Sequence, residues 1–181
     1  MGVKPGFTSI FNGKDLTGWQ GDPKYWKVED GAIVGRSEEK LDRNLFVWTE
    51  KEYSDFVFCC ETRLLGFNSG IQYRSVVDEE GRMAGHQADM GNNCWGSLYE
   101  ERKRGVLVPY NKELVEKILK KDDWNEFQII AVDDYYALIL NGVMTAEIID
   151  PEGWKKGIFG LQLHGGPPQE LAFRNIGVKE L

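Results

Sequence analysis

Glu61 and Arg63, Gln72 and Arg74, Gln87 and Asp89, and Gln162 and His164 are pairs of long polar residues set two apart in the chain. In extended backbone, residues two apart lie on the same face. Each pair therefore puts two polar groups on one side of a strand. Most are forked and planar, offering paired donors or acceptors that match sugar hydroxyls. Glu61, Asp89 and His164 add the capacity to take or deliver a proton. If the polar sides coincide, Glu61, Arg74, Gln87, Asp89, Gln162 and His164 converge on one concave face suited to a sugar.

Each candidate also has a bland reading. Glu61 stands between apolar neighbours and would be costly to bury alone, so an ion pair with Arg63 or Arg74 is the alternative to a catalytic role. His164 is the leading base or metal ligand, with a structural histidine as its alternative. The other histidine, His86, faces away from Gln87 and Asp89 by the same period of two. Arg74 and Arg63 offer guanidinium forks to a substrate. Asn68, Trp95 and Tyr99 are further sugar-binding candidates, the two aromatics as stacking surfaces or as core.

Strands must position these groups. Trp26-Lys27-Val28-Glu29 and Gly31-Ala32-Ile33-Val34-Gly35 predict a hairpin around Asp30-Gly31. Further strands are expected over 45–48 and 53–65, then after Asn68-Ser69-Gly70, which reads as a tight turn. Others follow at 85–90, 95–100, 124–132, 135–140, 145–149, 157–164 and 171–178. Asn141-Gly142 marks another hairpin turn. The stretch 111–123 differs: Leu114, Val115, Ile118 and Leu119 recur at helical spacing behind Asn111 as N-cap. That predicts one amphipathic helix of about three turns. Short strands at regular spacing with glycine-rich turns indicate an all-β, antiparallel sandwich or barrel forming a single domain over 1–181.

Bulk properties narrow the classes. The chain has 181 residues, is 41% hydrophobic and carries a formal net charge of -7. The charge argues against nucleic acid and anionic membranes as partners, which call for basic patches. There is no apolar run of ~18 residues to cross a membrane. No signal peptide is visible behind Met1-Gly2-Val3-Lys4-Pro5. The expectation is a soluble protein, periplasmic or secreted if a leader has been removed upstream and cytoplasmic otherwise. Cys59, Cys60 and Cys94 show no CxxC spacing, and neighbours on a strand point to opposite faces, so no disulfide is expected. Six tryptophans and seven tyrosines suit a large core or a sugar platform.

These residues together resemble a known family. Phe11-Asn12-Gly13-Lys14-Asp15-Leu16-Thr17-Gly18-Trp19 is similar to the start of the 3-keto-disaccharide hydrolase domain family. Trp26-Lys27-Val28-Glu29-Asp30-Gly31, Tyr53-Ser54-Asp55-Phe56 and Asn68-Ser69-Gly70-Ile71-Gln72-Tyr73-Arg74 follow in the family's order. Trp124-Asn125, Leu140-Asn141-Gly142, Gly160-Leu161-Gln162-Leu163-His164-Gly165 and Phe173-Arg174-Asn175-Ile176 complete it. The segments 105–123 and 165–172 are longer than the family pattern, where loops would frame a cleft. The resemblance implies a concanavalin-A-like jelly roll with its site on the concave face. It also implies cleavage of glycosides whose glucose unit is already oxidised at C3.

A 3-keto sugar has an acidic proton at C2. A base that removes it, with the enolate held at O3, expels the C1 substituent, and water adds afterwards. No carboxylate nucleophile is needed, and the Glu-x-Asp-x-Glu strand of related glucanases does not occur here. A divalent metal, with Glu61 and His164 as candidate ligands, is one means of stabilising the enolate. Three classes stay open: an enzyme acting on 3-keto-glycosides, a carbohydrate-binding module using the same face, and an interaction domain. A cluster of Glu61, Asp89 and His164 would favour the enzyme. Aromatic platforms without such a cluster would favour the module, and a flat polar face the interaction domain.

Overall fold

The computed structural model describes residues 2–181. Its strands are β1 Thr8–Ser9, β2 Trp19–Gln20, β3 Trp26–Glu29, β4 Ala32–Ser37, β5 Leu45–Thr49, β6 Phe56–Leu65, β7 Asn68–Val77 and β8 Met83–Gly91. After these come β9 Leu98–Glu101, β10 Gly105–Val108, the helix α1 Lys112–Ile118, β11 Asn125–Val132, β12 Tyr135–Leu140, β13 Val143–Ile149, β14 Ile158–Leu163 and β15 Gln169–Glu180. One sheet, here sheet A, runs β13-β12-β11-β6-β15-β4-β3, with β1 added on β15; sheet B runs β10-β9-β8-β7-β14-β5-β2. Neighbouring strands in both sheets are antiparallel.

Alternation makes the two sheets a sandwich. Phe56, Phe58 and Cys60 of β6, with Phe127, Ile129 and Ala131 of β11, face Ile71 and Tyr73 of β7 and Phe159, Leu161 and Leu163 of β14. Burying each large apolar side chain contributes roughly 1.5–3 kcal/mol, so this shared core decides which face of every strand points inward. The Asp30-Gly31 and Asn141-Gly142 turns form as the sequence indicates. Both residues of each have positive φ, the backbone that matches strand twist in a two-residue hairpin.

Three expected elements differ. Asn68-Ser69-Gly70 is the start of β7, not a turn. Gly70 is needed for another reason: a Cβ there would overlap the Gln87 side chain lying across it. The strand expected over 95–100 begins only at Leu98, since Trp95 stacks on Phe127 between the sheets, ring centroids 6.2 Å apart. The helix forms with Asn111 as its N-cap, the Asn111 Oδ1 accepting from the Leu114 amide at 3.1 Å, but it stops at Ile118. Leu119 is extended, and Asn125 then bonds both the amide and the carbonyl of Lys120. That side chain competes with the helix for the backbone of its expected third turn.

Cys59, Cys60 and Cys94 are free thiols. Burial pushes all three up from the ordinary thiol range, Cys94 to about 12. Titration with a thiol reagent should find three reactive groups in denaturant without reductant, and Cys60 should react only on unfolding. Two or fewer thiols in denaturant would contradict the assignment.

Candidate functional site

The side of sheet B turned away from the core carries the polar residues. In β7 and β8, Gln72 pairs directly with Gln87, and Gly70 with Asp89; in β9, Tyr99 pairs with Gln87 and Glu101 with Gly85. On β14 the core takes Phe159, Leu161 and Leu163, so alternation turns Gly160, Gln162 and His164 to this face. The Gln162 Nε2 lies 3.2 Å from Gln87 Oε1 and 3.4 Å from Glu101 Oε2. Between β14 and β9 stand β7 and β8, a span of ~14 Å at ordinary strand spacing. Side chains meet across that span only because the face is concave.

The carboxamides form a chain. Ser75 Oγ donates to Gln72 Oε1 at 2.7 Å, Gln72 Nε2 to Gln87 Oε1 at 2.7 Å, and Gln87 Nε2 to Asp89 Oδ1 at 2.6 Å. Ser97 Oγ reaches Asp89 Oδ2 at 3.2 Å. Burial pushes the Asp89 carboxyl up to about 6, against the hydrogen bonds of Gln87 and Ser97, which pull it down. Burial also raises Glu101 and Tyr99. A carboxyl poised near neutrality can act as a base, and one held partly protonated can act as an acid. Gln162 Oε1 is buried without a partner among the described residues. His164 Nδ1 lies 2.6 Å from the Gly165 carbonyl, which can only accept. The ring proton therefore sits on Nδ1, leaving the lone pair of the neutral ring on Nε2.

The sequence matches the model of the 3-keto-alpha-glucoside-1,2-lyase-like domain over residues 6–179. The chain belongs to that family. Membership supports a carbohydrate-related function. No curated protein matches it in sequence. A candidate glycosyl hydrolase from Parabacteroides distasonis ATCC 8503 superposes with a TM-score of 0.73 at 23% identity, covering 97% of this chain and 94% of the other. The carbohydrate-binding module CBM66 from Bacillus subtilis gives 0.65 at 17% identity, over 91% and 97%. A Bacillus subtilis protein with a galectin-like fold gives 0.66 at 11%, over 90% and 89%. At these identities the likeness is one of fold, and it fits the jelly roll.

The fold brings Asn68, Gln87, Asp89, Tyr99, Gln162 and His164 onto the concave face, and separates four other candidates from them. Glu61 and Arg63 lie on the outer side of sheet A, because β6 pairs with β11 and β15 and not with β7. There Glu61 Oε2 accepts from Arg174 Nε at 2.5 Å and Asn175 Nδ2 at 2.9 Å, while Arg63 sits beside Trp124 and Glu170. Arg74 falls at a bulge between β7 and its neighbours, with φ 45°, and turns into the molecule, fully buried. Trp95 is core. His86 faces inward as its register requires, stacked on Tyr136 with Nε2 2.9 Å from Asp150.

Glu61 and His164 thus stand on different sheets and cannot share a metal ion. Among the described residues no group of three or more His, Cys, Asp or Glu side chains is placed to hold one, so no step is assigned to a metal. Clefts of about 330 Å³ near Arg36 and about 400 Å³ near Tyr110 open elsewhere, and neither contains Asp89 or Glu101. Reasoning from sequence missed Glu101, Ser97 and Cys94. Glu101 was findable, since it shares the period of two with Tyr99. Cys94 was not: it reaches the face from a turn, where Asn68 Nδ2 meets its Sγ at 3.6 Å.

Proposed function

We propose that the domain cleaves the glycosidic bond of 3-keto-glycosides by elimination on the concave face of sheet B. The observation that carries this reading is Asp89, a nearly buried carboxyl raised to about 6 and held in a line of carboxamides beside Glu101. Asp89 as carboxylate takes the C2 proton of the oxidised sugar. The electron pair passes through the enolate, and the C1–O bond breaks. Glu101, whose carboxyl burial shifts toward its protonated form, gives its proton to the departing oxygen. Water then adds across C1 and C2, its hydroxyl to C1 and a proton returned to C2. The Nε2 of half-buried His164 supplies an acceptor for a sugar hydroxyl. The ketone is essential, since without it the C2 proton is far too weakly acidic for a carboxylate.

A 3-keto-glucoside with a chromogenic aglycone, incubated in deuterated water, tests the reading. Deuterium should appear at C2 of the released 3-keto sugar, and the unoxidised parent glycoside should stay intact. Release without label or unsaturated intermediate would rule out elimination. Binding without release would leave a carbohydrate-binding module on the same face.

A further inference from the structure

The second half of the concave face is covered by the chain itself. Beyond the bulge at Arg74 and Ser75, β7 and β8 still pair, Val76 with Ala84 and Val77 with Met83. The bend uses Arg74 at φ 45° and Gly85 at φ 145°, where a Cβ on Gly85 would overlap Ser75. The hairpin tip then folds back over β14 and β5. The Met83 side chain lies on Gly160 of β14, beside the Gln72 Cβ. Met83 also packs with Phe46 and Ile158, and with Trp48 and Val77 around them. A Cβ on Gly81 would sit 3.7 Å from the Trp48 ring. Two tethers hold the tip. Arg43 Nη1 donates to the Glu80 carbonyl at 2.8 Å, and Arg102 Nη1 to Asp78 Oδ2 at 3.0 Å. Asp78 closes the turn by accepting from the Arg82 amide and Nε.

This strap ends the open polar face at Met83, which lies on Gly160 of the floor beside Gln72. We propose that it is the wall that discriminates among aglycones: it admits small ones and excludes those bulky on the β5 side. The proposal rests on the concave face being the 3-keto-glycoside site. Met83→Ala shortens the wall from within. Arg43→Ala frees its tip through an exposed bond, leaving the apolar core of the strap untouched.

The experiment measures kcat/KM for 3-keto-glucosides of a small alkyl and a naphthyl aglycone, and compares the naphthyl-to-alkyl ratio between enzymes, which cancels leaving-group differences. Met83→Ala should raise the ratio ~10-fold or more, the scale of discrimination that a methylene or two of pocket space supplies. Arg43→Ala should move it in the same direction. An unchanged ratio in both variants overturns the wall while leaving the function standing. If the wild type turns over neither compound, the catalytic reading fails, and the same ratio is taken from dissociation constants by calorimetry. Equal relative affinities in all three proteins, or no binding, then overturn the proposal.

Discussion

Asp89→Asn is expected to abolish turnover and stabilise the fold at the same time. Losing the general base should lower kcat by roughly 10²–10⁴-fold. In the wild type the rate should rise with pH through about 6 as Asp89 ionises, and that limb should vanish in the variant. The stability effect has the opposite sign. A carboxyl raised by burial from 3.8 to about 6 favours the fold while neutral. That contribution is complete below the unfolded value and is lost as pH rises through about 6. The difference corresponds to ~3 kcal/mol at pH 8, or roughly 6–12 °C in Tm for a chain of this size. Asparagine stays neutral and keeps the oxygen that Gln87 bonds. Melting curves at pH 5 and pH 8 should therefore show the variant gaining chiefly at pH 8. A loss of activity with lower stability at pH 8 would mean that Asp89 is a structural anion.

Arg74→Met should be among the most destabilising single changes. The fully buried guanidinium donates from Nε to the Ser54 carbonyl at 2.7 Å and from Nη1 to the Asp133 carbonyl at 2.8 Å. Nη1 also reaches Tyr136 Oη at 2.9 Å, and Nη2 reaches Asp55 Oδ1 at 2.7 Å. One side chain thus ties the segment before β6 and the β11–β12 turn to the bend that raises the strap. Removing it takes the donor from the half-buried contacts to the Ser54 and Asp133 carbonyls, from the buried Tyr136 hydroxyl and from Asp55, whose side chain is 42% exposed, for a combined loss of ~1–3 kcal/mol. Lysine should recover little, since a single ammonium cannot reproduce the fork. Denaturant unfolding measures this as a lower midpoint at unchanged m-value. A loss below ~1 kcal/mol would mean that water serves these loops as well as Arg74 does.

The pairs that lie within one strand are legible in the amino-acid sequence. Gln87 with Asp89 and Gln162 with His164 share a face because alternation is enforced by the apolar residues between them, which must enter the core. Asn111 as the N-cap and the two-residue turns are legible for the same kind of reason: their chemistry is completed within a few residues. Glu61 and Arg63 also share a face, but on the wrong sheet. Arg74 obeys no alternation at all, because a bulge of two residues turns it inward.

The sequence by itself determined the all-β architecture, the family and the local phase of each strand, since periodicity and turn chemistry are properties of neighbouring residues. Only the tertiary structure decided that β6 pairs with β11 and β15, that Glu101 and Ser97 join Asp89, and that the β7–β8 tip closes over Trp48. Those outcomes depend on long-range strand pairing and on burial. Burial is also what lifts Asp89 to about 6, and no spacing in a sequence records how much water a folded chain removes from one carboxyl.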